Sequence, residues 1–294
     1  MFMVVEKEQY VYLYMKFAWV ISILAIIQEI GYILNVEYIY NYSLIFGGAD
    51  KISHAMGLLR VTSIFSEPAH LGFFLLFPMI FIYLNKSYMK NMVIIAAYIL
   101  TFSAGNYILF LITLLSINFF IDKTIKVRQL LFSLAMIFIF IYIINVIPEV
   151  NEKFNSIFAT SDNLRDPENG SFFALYSLWK ANIYSFINNP LFGNGFGNSM
   201  MIYDNYMYND YLYIMKENDF YPDEQFFAKF LGELGCIGVF IFTMMISSKW
   251  KNSSYYSKVA LFVFFIISIK SGSYYNPMMF SLLAFYLSND KLVK

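Results

Sequence analysis

The sequence predicts an all-α, polytopic integral membrane protein with about eight transmembrane helices and one long extracytoplasmic loop. Of the 294 residues, 59% are hydrophobic and 14% are charged, whereas soluble domains carry about 25% charged residues. Several apolar runs approach the roughly 20 residues that a helix needs to cross a bilayer. Lysine and arginine also collect in connections that this arrangement places on one side of the membrane.

The apolar runs predict eight spans, several of them short. They cover residues 11–34, 70–84, 92–103, 106–121, 129–147, 225–247, 259–269 and 277–287. The third and fourth spans form a hairpin hinged at residues 103–105, and the last two form one hinged at residues 271–273. We expect the whole chain, residues 1–294, to form a single membrane domain.

The basic residues predict the orientation of the spans. They follow spans two, four and six and end the chain: Lys86, Lys90, Lys123, Lys126, Arg128, Lys249, Lys251, Lys258, Lys291 and Lys294. Because short cytoplasmic loops are enriched in such residues, both termini are expected in the cytoplasm. The N-terminal apolar run is too long for a cleavable signal peptide. The long loop, residues 148–224, is then extracytoplasmic.

Two patterns stand out in the long loop. Residues 171–188 have the spacing of an amphipathic helix that lies on the membrane surface, and Pro190 ends it. Gly193, Gly195 and Gly197 then alternate along the chain, which permits a tight turn whose amides face an anion. A purely structural turn explains these glycines slightly better from spacing alone. A nucleotide-binding loop is a poor interpretation, because no βαβ context or Lys-Ser/Thr pair accompanies them.

The composition argues against several kinds of function. The formal net charge is zero, which offers no basis for binding nucleic acid. The one cysteine, Cys236, allows neither a disulfide framework nor a thiol–metal site. Two histidines, His54 and His70, without a nearby carboxylate cluster predict no metal site.

The segment RVTSIFSEPAHL, which starts at Arg60, holds an arginine, a carboxylate and a histidine just before a span. Ser66, Glu67 and Pro68 are typical of a helix start: a capping hydroxyl, an acid at the positive end of the dipole and a proline in the first turn. Glu67 is explained by that role alone, but an ion pair or a catalytic role beside Arg60 and His70 is at least as well supported.

Three arginines occur among the twenty basic residues. Arg128 belongs to the predicted cytoplasmic cluster, whereas Arg60 and Arg165 lie on the predicted outer side, where the charge rule does not require them. A planar guanidinium binds phosphate through two parallel hydrogen bonds, which lysine cannot do. A surface or headgroup contact explains Arg165 equally well, but for Arg60, in an apolar stretch, we favour function.

Acidic residues mark the end of the long loop and the sixth span. Asp223 and Glu224 stand where the loop re-enters the membrane, and Glu233 lies deeper in the span. A charged side chain at mid-helix costs roughly 2.5–3.5 kcal/mol, so Glu233 should face protein or a wet cavity. Glycines at every third residue of this span predict close helix packing: Gly232, Gly235 and Gly238.

Four motifs follow one another along the chain. They are R-x4-F-x-E-P from Arg60, T-F-S-A-G from Thr101, W-x10-P-L-F-G-N-G-F-G from Trp179 and D-E-Q-F-F-A-K-F-L-G-E-L-G-C-I-G from Asp223. Their order and spacing resemble the bacterial O-antigen polymerase and ligase superfamily, which includes Wzy-type repeat-unit polymerases. The resemblance covers residues 60–287.

The resemblance implies a metal-independent glycosyltransferase of the bacterial cytoplasmic (inner) membrane that needs no cofactor. Such an enzyme polymerises oligosaccharide repeat units carried on polyprenyl pyrophosphate into a surface polysaccharide such as O-antigen, capsule or exopolysaccharide. The expected partners are the lipid-linked oligosaccharide and the bilayer, and the resemblance leaves room for a chain-length regulator and a flippase.

The resemblance also implies roles for particular residues. It assigns pyrophosphate binding to Arg60 and Arg165 and places Glu67 near the reacting groups. His70 and the alternating glycines are further candidate substrate contacts. Arginines suit this chemistry because they stabilise the charge that grows on a pyrophosphate leaving group without a metal.

A carboxylate is the expected base for the acceptor hydroxyl. We favour Asp223 and Glu224, because superfamily ligases place a histidine where the loop re-enters the membrane. Glu67 would then orient Arg60, since a helix start and a neighbouring cation both favour its ionised form and weaken it as a base. His70 is the next candidate.

Three other functions stay open. A ligase that moves glycan to another acceptor would share the site, although Asp223 and Glu224 replace the histidine of the ligases. A transporter would carry charged residues through mid-membrane, whereas here they collect at the outer face. A non-catalytic or truncated assembly protein would tolerate loss of Arg60 and Glu67.

The predicted topology places residues 148–224 outside and both termini inside. Reporter fusions at Asn169 and Lys251 should therefore report opposite sides of the membrane, because Asn169 lies in the long outer loop and Lys251 in a basic cytoplasmic connection. An activity reporter and a fluorescence reporter at each site provide the measurement. The same side for both fusions would refute the eight-span arrangement.

Overall fold

The computed structural model describes residues 7–42, 52–55, 57–121, 170–207, 225–270 and 276–288. The chain divides into two compact units. The first takes in Met1–Thr124, Ser254–Val263 and Leu282–Lys294, and the second takes in Ile125–Ser253 and Phe264–Ser281. The last two helices therefore contribute residues to both units. The single membrane domain stays a prediction.

The first unit is built mainly from helices. They are α1 (Lys7–Ile33), α2 (Glu37–Tyr40), α3 (Pro68–Asn85), α4 (Met92–Leu100), which follows a 3₁₀ turn at Met89–Asn91, and α5 (Ala104–Phe120). A small antiparallel hairpin of β1 (His54–Ala55) and β2 (Leu58–Leu59) separates α2 from α3. Helix α1 packs on α3 and α4, and α3 also packs on α5. The core of this unit lies along those contacts.

The second unit contains α6 (Gly170–Asn188), α7 (Ser199–Tyr206) and α8 (Phe226–Trp250). Helix α6 packs on both α7 and α8. Two further helices, α9 (Tyr255–Lys270) and α10 (Pro277–Leu287), run through residues of both units. The helix predicted at residues 171–188 is confirmed, since α6 begins one residue earlier and ends at the predicted residue. Its position on the membrane surface stays a prediction.

Among the described residues, three helices, α1, α3 and α8, are long and apolar enough to cross a membrane. Shorter apolar helices are Met89–Leu100, Ala104–Phe120 and Pro277–Leu287. The structure thus confirms a mostly helical chain with candidate membrane-spanning helices, and the hairpin is a small exception to the all-α class. The count of eight spans and their orientation stay predictions. The predicted fifth span, residues 129–147, and the hinge at residues 271–273 lie outside the described residues.

The start of α3 differs from the prediction by one residue. Glu67, not Ser66, occupies the N-cap position, and Pro68 takes the first helical position, where its missing N–H is not needed. The Glu67 carbonyl accepts the amide of His70 at 3.1 Å and that of Leu71 at 3.4 Å. Ser66 Oγ instead lies 3.0 Å from His70 Nδ1. The serine hydroxyl therefore orients the imidazole and does not cap the helix.

The hinge between α4 and α5 lies within two residues of the prediction. Helix α4 ends at Leu100 and α5 begins at Ala104, so the interruption spans residues 101–103 and overlaps the predicted hinge at Ser103. Phe102 has a φ of 43°, which an L residue rarely adopts. The Ser103 carbonyl then accepts the amides of Asn106 at 2.9 Å and Tyr107 at 3.2 Å. This tight turn places Tyr107 beside the segment that precedes α3.

Candidate functional site

Arg60 follows β2 directly and its backbone is held on two sides. The Arg60 amide donates to the Ser53 carbonyl at 2.9 Å, which continues the hairpin by one pair. The next amide, that of Val61, donates to the Leu100 carbonyl at 3.1 Å, at the end of α4. The hairpin and the end of α4 therefore fix the backbone position from which the Arg60 side chain extends.

The Arg60 side chain is half-buried and is not fully hydrogen-bonded. Its buried Nε has no hydrogen-bond partner among the residues that the structure describes. Burial lowers the pKa of the Arg60 guanidinium from its ordinary value, and the nearby Tyr107 and Glu67 act in the opposite direction. Hydration lost on burial makes a cation seek a negative partner. The environment of Arg60 thus suits an anion.

Two predicted site residues, Arg60 and Glu67, interact in the first unit, and a third, His70, follows them on α3. Glu67 is close enough to Arg60 to favour its charged form, and His70 lies one turn into α3, with its ring held by Ser66. A buried asparagine on α5, Asn106, donates from Nδ2 to the Ala69 carbonyl at 3.0 Å and so ties the first turn of α3 to the hinge. The predicted grouping of the arginine with the acid is therefore present in the structure.

Helix α1 supplies residues that the sequence analysis did not identify. Gln28 and Glu29 are both buried although they lie in an apolar helix. Gln28 Oε1 accepts the amides of Thr62 and Ser63, both at 2.9 Å. Glu29 Oε1 accepts the Leu59 amide at 3.4 Å. Two adjacent polar residues inside an apolar run were the signal that could have pointed to this contact.

Three other predicted site residues, Arg165, Asp223 and Glu224, lie outside the described residues. Their roles as pyrophosphate ligand and as proton acceptors stay predictions. Within the described residues, no group of three His, Cys, Asp or Glu side chains is arranged to hold a metal ion. The site that the structure does describe is thus the set around Arg60.

The alternating glycines of the second unit lie against an interruption in α8. Gly235 has φ 60° and ψ −159°, so the helix is broken there. In a continuous helix the amides of Cys236 and Ile237 would bond four residues back, to Gly232 and Glu233. Here they donate to the carbonyls of Pro190 at 2.8 Å and Leu191 at 3.1 Å. The predicted close packing is also present at Gly235, since a Cβ there would lie 2.7 Å from the Gly193 amide nitrogen and from the Leu191 carbonyl oxygen. It is present at Gly232 too, where a Cβ would lie 2.6 Å from Asn182 Oδ1 of α6.

The same loop segment also donates hydrogen bonds to the carbonyl groups that the break leaves without a partner within the helix. Asn194 donates its amide to the Gly232 carbonyl at 3.0 Å, and Gly195 donates to the Glu233 carbonyl at 2.9 Å. Ser185 Oγ adds a third bond, to Gly232, at 2.9 Å. The segment from Pro190 to Gly195, which we call the splice segment, thus replaces the missing helix hydrogen bonds from both sides.

Glu233 lies at the break and is fully buried, with 0% of its surface exposed. Its Oε2 accepts the Gly197 amide at 2.9 Å, and its Oε1 lies 3.8 Å from Lys229 Nζ, one turn earlier on α8. The expectation that Glu233 faces protein is met by these contacts. The amides of Gly193, Gly195 and Gly197 all donate to protein acceptors. These contacts explain the glycines structurally, and a substrate-binding role for them stays a prediction.

Two glycines of this region form a matched pair for a stability test. Both have positive φ, 64° at Gly193 and 82° at Gly197. A Cβ at Gly193 would lie 2.4 Å from the Glu233 backbone, whereas one at Gly197 would meet no described atom within 4 Å. We expect Gly197→Ala to lower the free energy of unfolding by about 1–2 kcal/mol through backbone strain. Gly193→Ala should lose about 1–3 kcal/mol more by overpacking.

The measurement is thermal unfolding of the purified variants in one detergent. Equal loss of stability in the two variants would contradict the close approach of the splice segment to α8.

Comparison with known proteins assigns no function to these residues. The chain matches no protein-family model, no curated protein and no solved structure. The resemblance of the four motifs and the roles that it implies therefore stay predictions. The contacts of the described residues are the basis for the proposals below.

Proposed function

We propose that this chain is a metal-independent membrane glycosyltransferase that polymerises oligosaccharide repeat units carried on polyprenyl pyrophosphate. One observation carries the proposal. Arg60 presents a half-buried guanidinium whose Nε lacks a partner among the described residues, eight residues before the start of a membrane-length helix. A diphosphate at the membrane interface has the charge and the reach to meet such a group.

The geometry of an arginine side chain suits the binding of a pyrophosphate. A guanidinium offers N–H donors in a fixed fork that matches two oxygens of a phosphate. The Arg60 backbone is held by the hairpin and the hinge, so the fork is oriented before the ligand arrives. Preorganised donors stabilise charge that develops on a leaving group without rearranging during the reaction.

The proposed reaction is a glycosyl transfer between two lipid-linked glycans. The acceptor hydroxyl oxygen bonds to the anomeric carbon of the donor, and the bond from that carbon to the pyrophosphate oxygen breaks. The electron pair of the broken bond leaves with the polyprenyl pyrophosphate, whose charge Arg60 and Arg165 stabilise. The hydroxyl proton passes to Asp223 or Glu224.

The remaining features of the proposal concern place and partners. We place the reaction at the outer face of the bacterial cytoplasmic membrane, in a protein with eight spans and cytoplasmic termini. Glu67 orients Arg60, and His70 is a further substrate contact. No metal or organic cofactor enters the proposed chemistry, and a chain-length regulator and a flippase are the proposed protein partners.

Replacement of the proposed pyrophosphate ligand should abolish polymer while the protein still inserts. Arg60→Lys keeps the charge but loses the bidentate contact, so we expect affinity for the donor to fall about ten- to hundredfold, as for hydrogen bonds to charged groups. The measurement is the surface-glycan ladder in cells, together with donor binding by purified protein. Arg128→Lys, in the predicted cytoplasmic cluster, is the matched control and should leave the ladder intact. Full-length polymer from Arg60→Lys would remove the proposal.

Separate variants of the acids should distinguish the base from the residue that orients Arg60. In a purified assay with lipid-linked repeat units, Asp223→Asn or Glu224→Gln should bind donor but lose turnover by at least about a hundredfold. Glu67→Gln should mainly weaken donor binding, because it removes the charge beside Arg60. Normal turnover in both loop variants would transfer the role of base to His70.

A further inference from the structure

The backbone that follows Arg60 is held by one side chain of α1. Gln28 Oε1 accepts the amides of Thr62 and Ser63, each at 2.9 Å. Its Nε2 donates to the Tyr40 carbonyl at 2.9 Å and to Thr62 Oγ1 at 3.2 Å. The side chain is 4% exposed. A single buried amide group thus makes four hydrogen bonds and joins three segments that are distant in sequence.

The conformation at this point needs such support. Ser63 has a φ of 52°, in the left-handed region that costs an L residue roughly 1–2 kcal/mol. The Ser63 hydroxyl donates to the Ile21 carbonyl of α1 at 3.0 Å, two turns before Gln28. A left-handed residue persists where the surrounding contacts overdetermine it. Helix α1 therefore holds the turn on which Arg60 depends.

We propose that Gln28 is a positioning residue that orients Arg60 for the pyrophosphate of the donor. The proposal rests on the proposed function of Arg60. Gln28 lies beside the backbone two residues after Arg60, so its effect on the ligand passes through the peptide segment that it holds. Misplacement of a binding group by about 1 Å can cost up to a hundredfold in rate.

The chemistry of the amide side chain matters for this role. Both backbone amides at residues 62 and 63 need an acceptor, while the Tyr40 carbonyl needs a donor. Glutamine provides both from one group. Methionine has a similar length and provides neither, whereas glutamate keeps the acceptors and loses the donor. The two substitutions therefore remove different parts of the contact.

A suitable control removes a hydrogen bond from the same helix without touching the Arg60 segment. The Tyr42 hydroxyl donates to the Leu24 carbonyl of α1 at 3.0 Å. Tyr42→Phe deletes that bond and leaves the acceptors of Thr62 and Ser63 in place. A general weakening of α1 would affect this variant as well, whereas a positioning effect would not.

The experiment compares the wild type, Gln28→Met, Gln28→Glu, Tyr42→Phe and Arg60→Lys as full-length proteins in one detergent. Affinity for a polyprenyl pyrophosphate without glycan is measured first, and KM and kcat with lipid-linked repeat units are measured next. Hydrogen exchange of the peptide that contains Thr62 and Ser63 reports the backbone independently of the ligand.

We expect Gln28→Met to weaken binding of the glycan-free probe and to lower kcat/KM by at least about tenfold, because the same Arg60 binds the donor and stabilises its leaving group. Gln28→Glu should recover part of the affinity, because it restores both amide acceptors. Exchange at residues 62 and 63 should rise in Gln28→Met only. Tyr42→Phe should match the wild type in all measurements.

Two results would overturn the positioning role while leaving the proposed function intact. One is wild-type affinity in Gln28→Met while Arg60→Lys is impaired, and the other is an equal loss in Gln28→Met and Tyr42→Phe. If Gln28→Met does not fold, Gln28→Glu alone decides the role: wild-type probe affinity and kcat/KM would overturn it, and a loss of both with wild-type values in Tyr42→Phe would support it. Equal binding of the probe by the wild type and Arg60→Lys would instead overturn the proposed function, and the positioning role with it.

Discussion

A backbone N–H or C=O group that is removed from water must find another partner, and this requirement accounts for two irregular segments among the described residues. In the first unit the peptide after Arg60 is neither helix nor strand, and Gln28 accepts its amides at 2.9 Å. In the second unit α8 is interrupted at Gly235, and the splice segment bonds to both sides of the break. A side chain supplies the missing partners in the first unit, and a second backbone segment supplies them in the second unit.

The two solutions differ in what they allow. A splice made of backbone groups tolerates most side chains, but it demands close approach, and a Cβ at Gly193 would lie 2.4 Å from the Glu233 backbone. It also seals the break with protein groups, so that the buried Glu233 meets the Gly197 amide. A clamp made by one side chain, as at Gln28, depends on residue identity. A substitution at Gln28 therefore acts by removing hydrogen bonds, whereas a substitution at Gly193 acts by steric overlap with α8.

The helices could be predicted where the signal was local. Pro277 begins the last helix and its predicted and observed limits agree, because proline fixes the first turn and the apolar run defines the length. The break at Gly235 could not be predicted in this way, because its hydrogen-bond partners lie about 40 residues earlier, in the splice segment. The bonds of Gln28 to Thr62 and Ser63 likewise join residues distant in sequence, and no periodicity records such a pairing. The grouping of Arg60 with Glu67 was predictable because seven residues separate them.

Arg60 illustrates why a rigid frame and an incompletely bonded cation occur together. A mobile arginine on an exposed loop would bond to water and show little preference for an anion. A half-buried arginine whose backbone is fixed loses hydration and cannot turn away to recover it, so its Nε stays without a partner among the described residues. Under the proposed function, the hairpin, the hinge and α1 hold Arg60 where an anion would replace the interactions that burial removes. Residues that stabilise the backbone would then contribute to ligand affinity without touching the ligand.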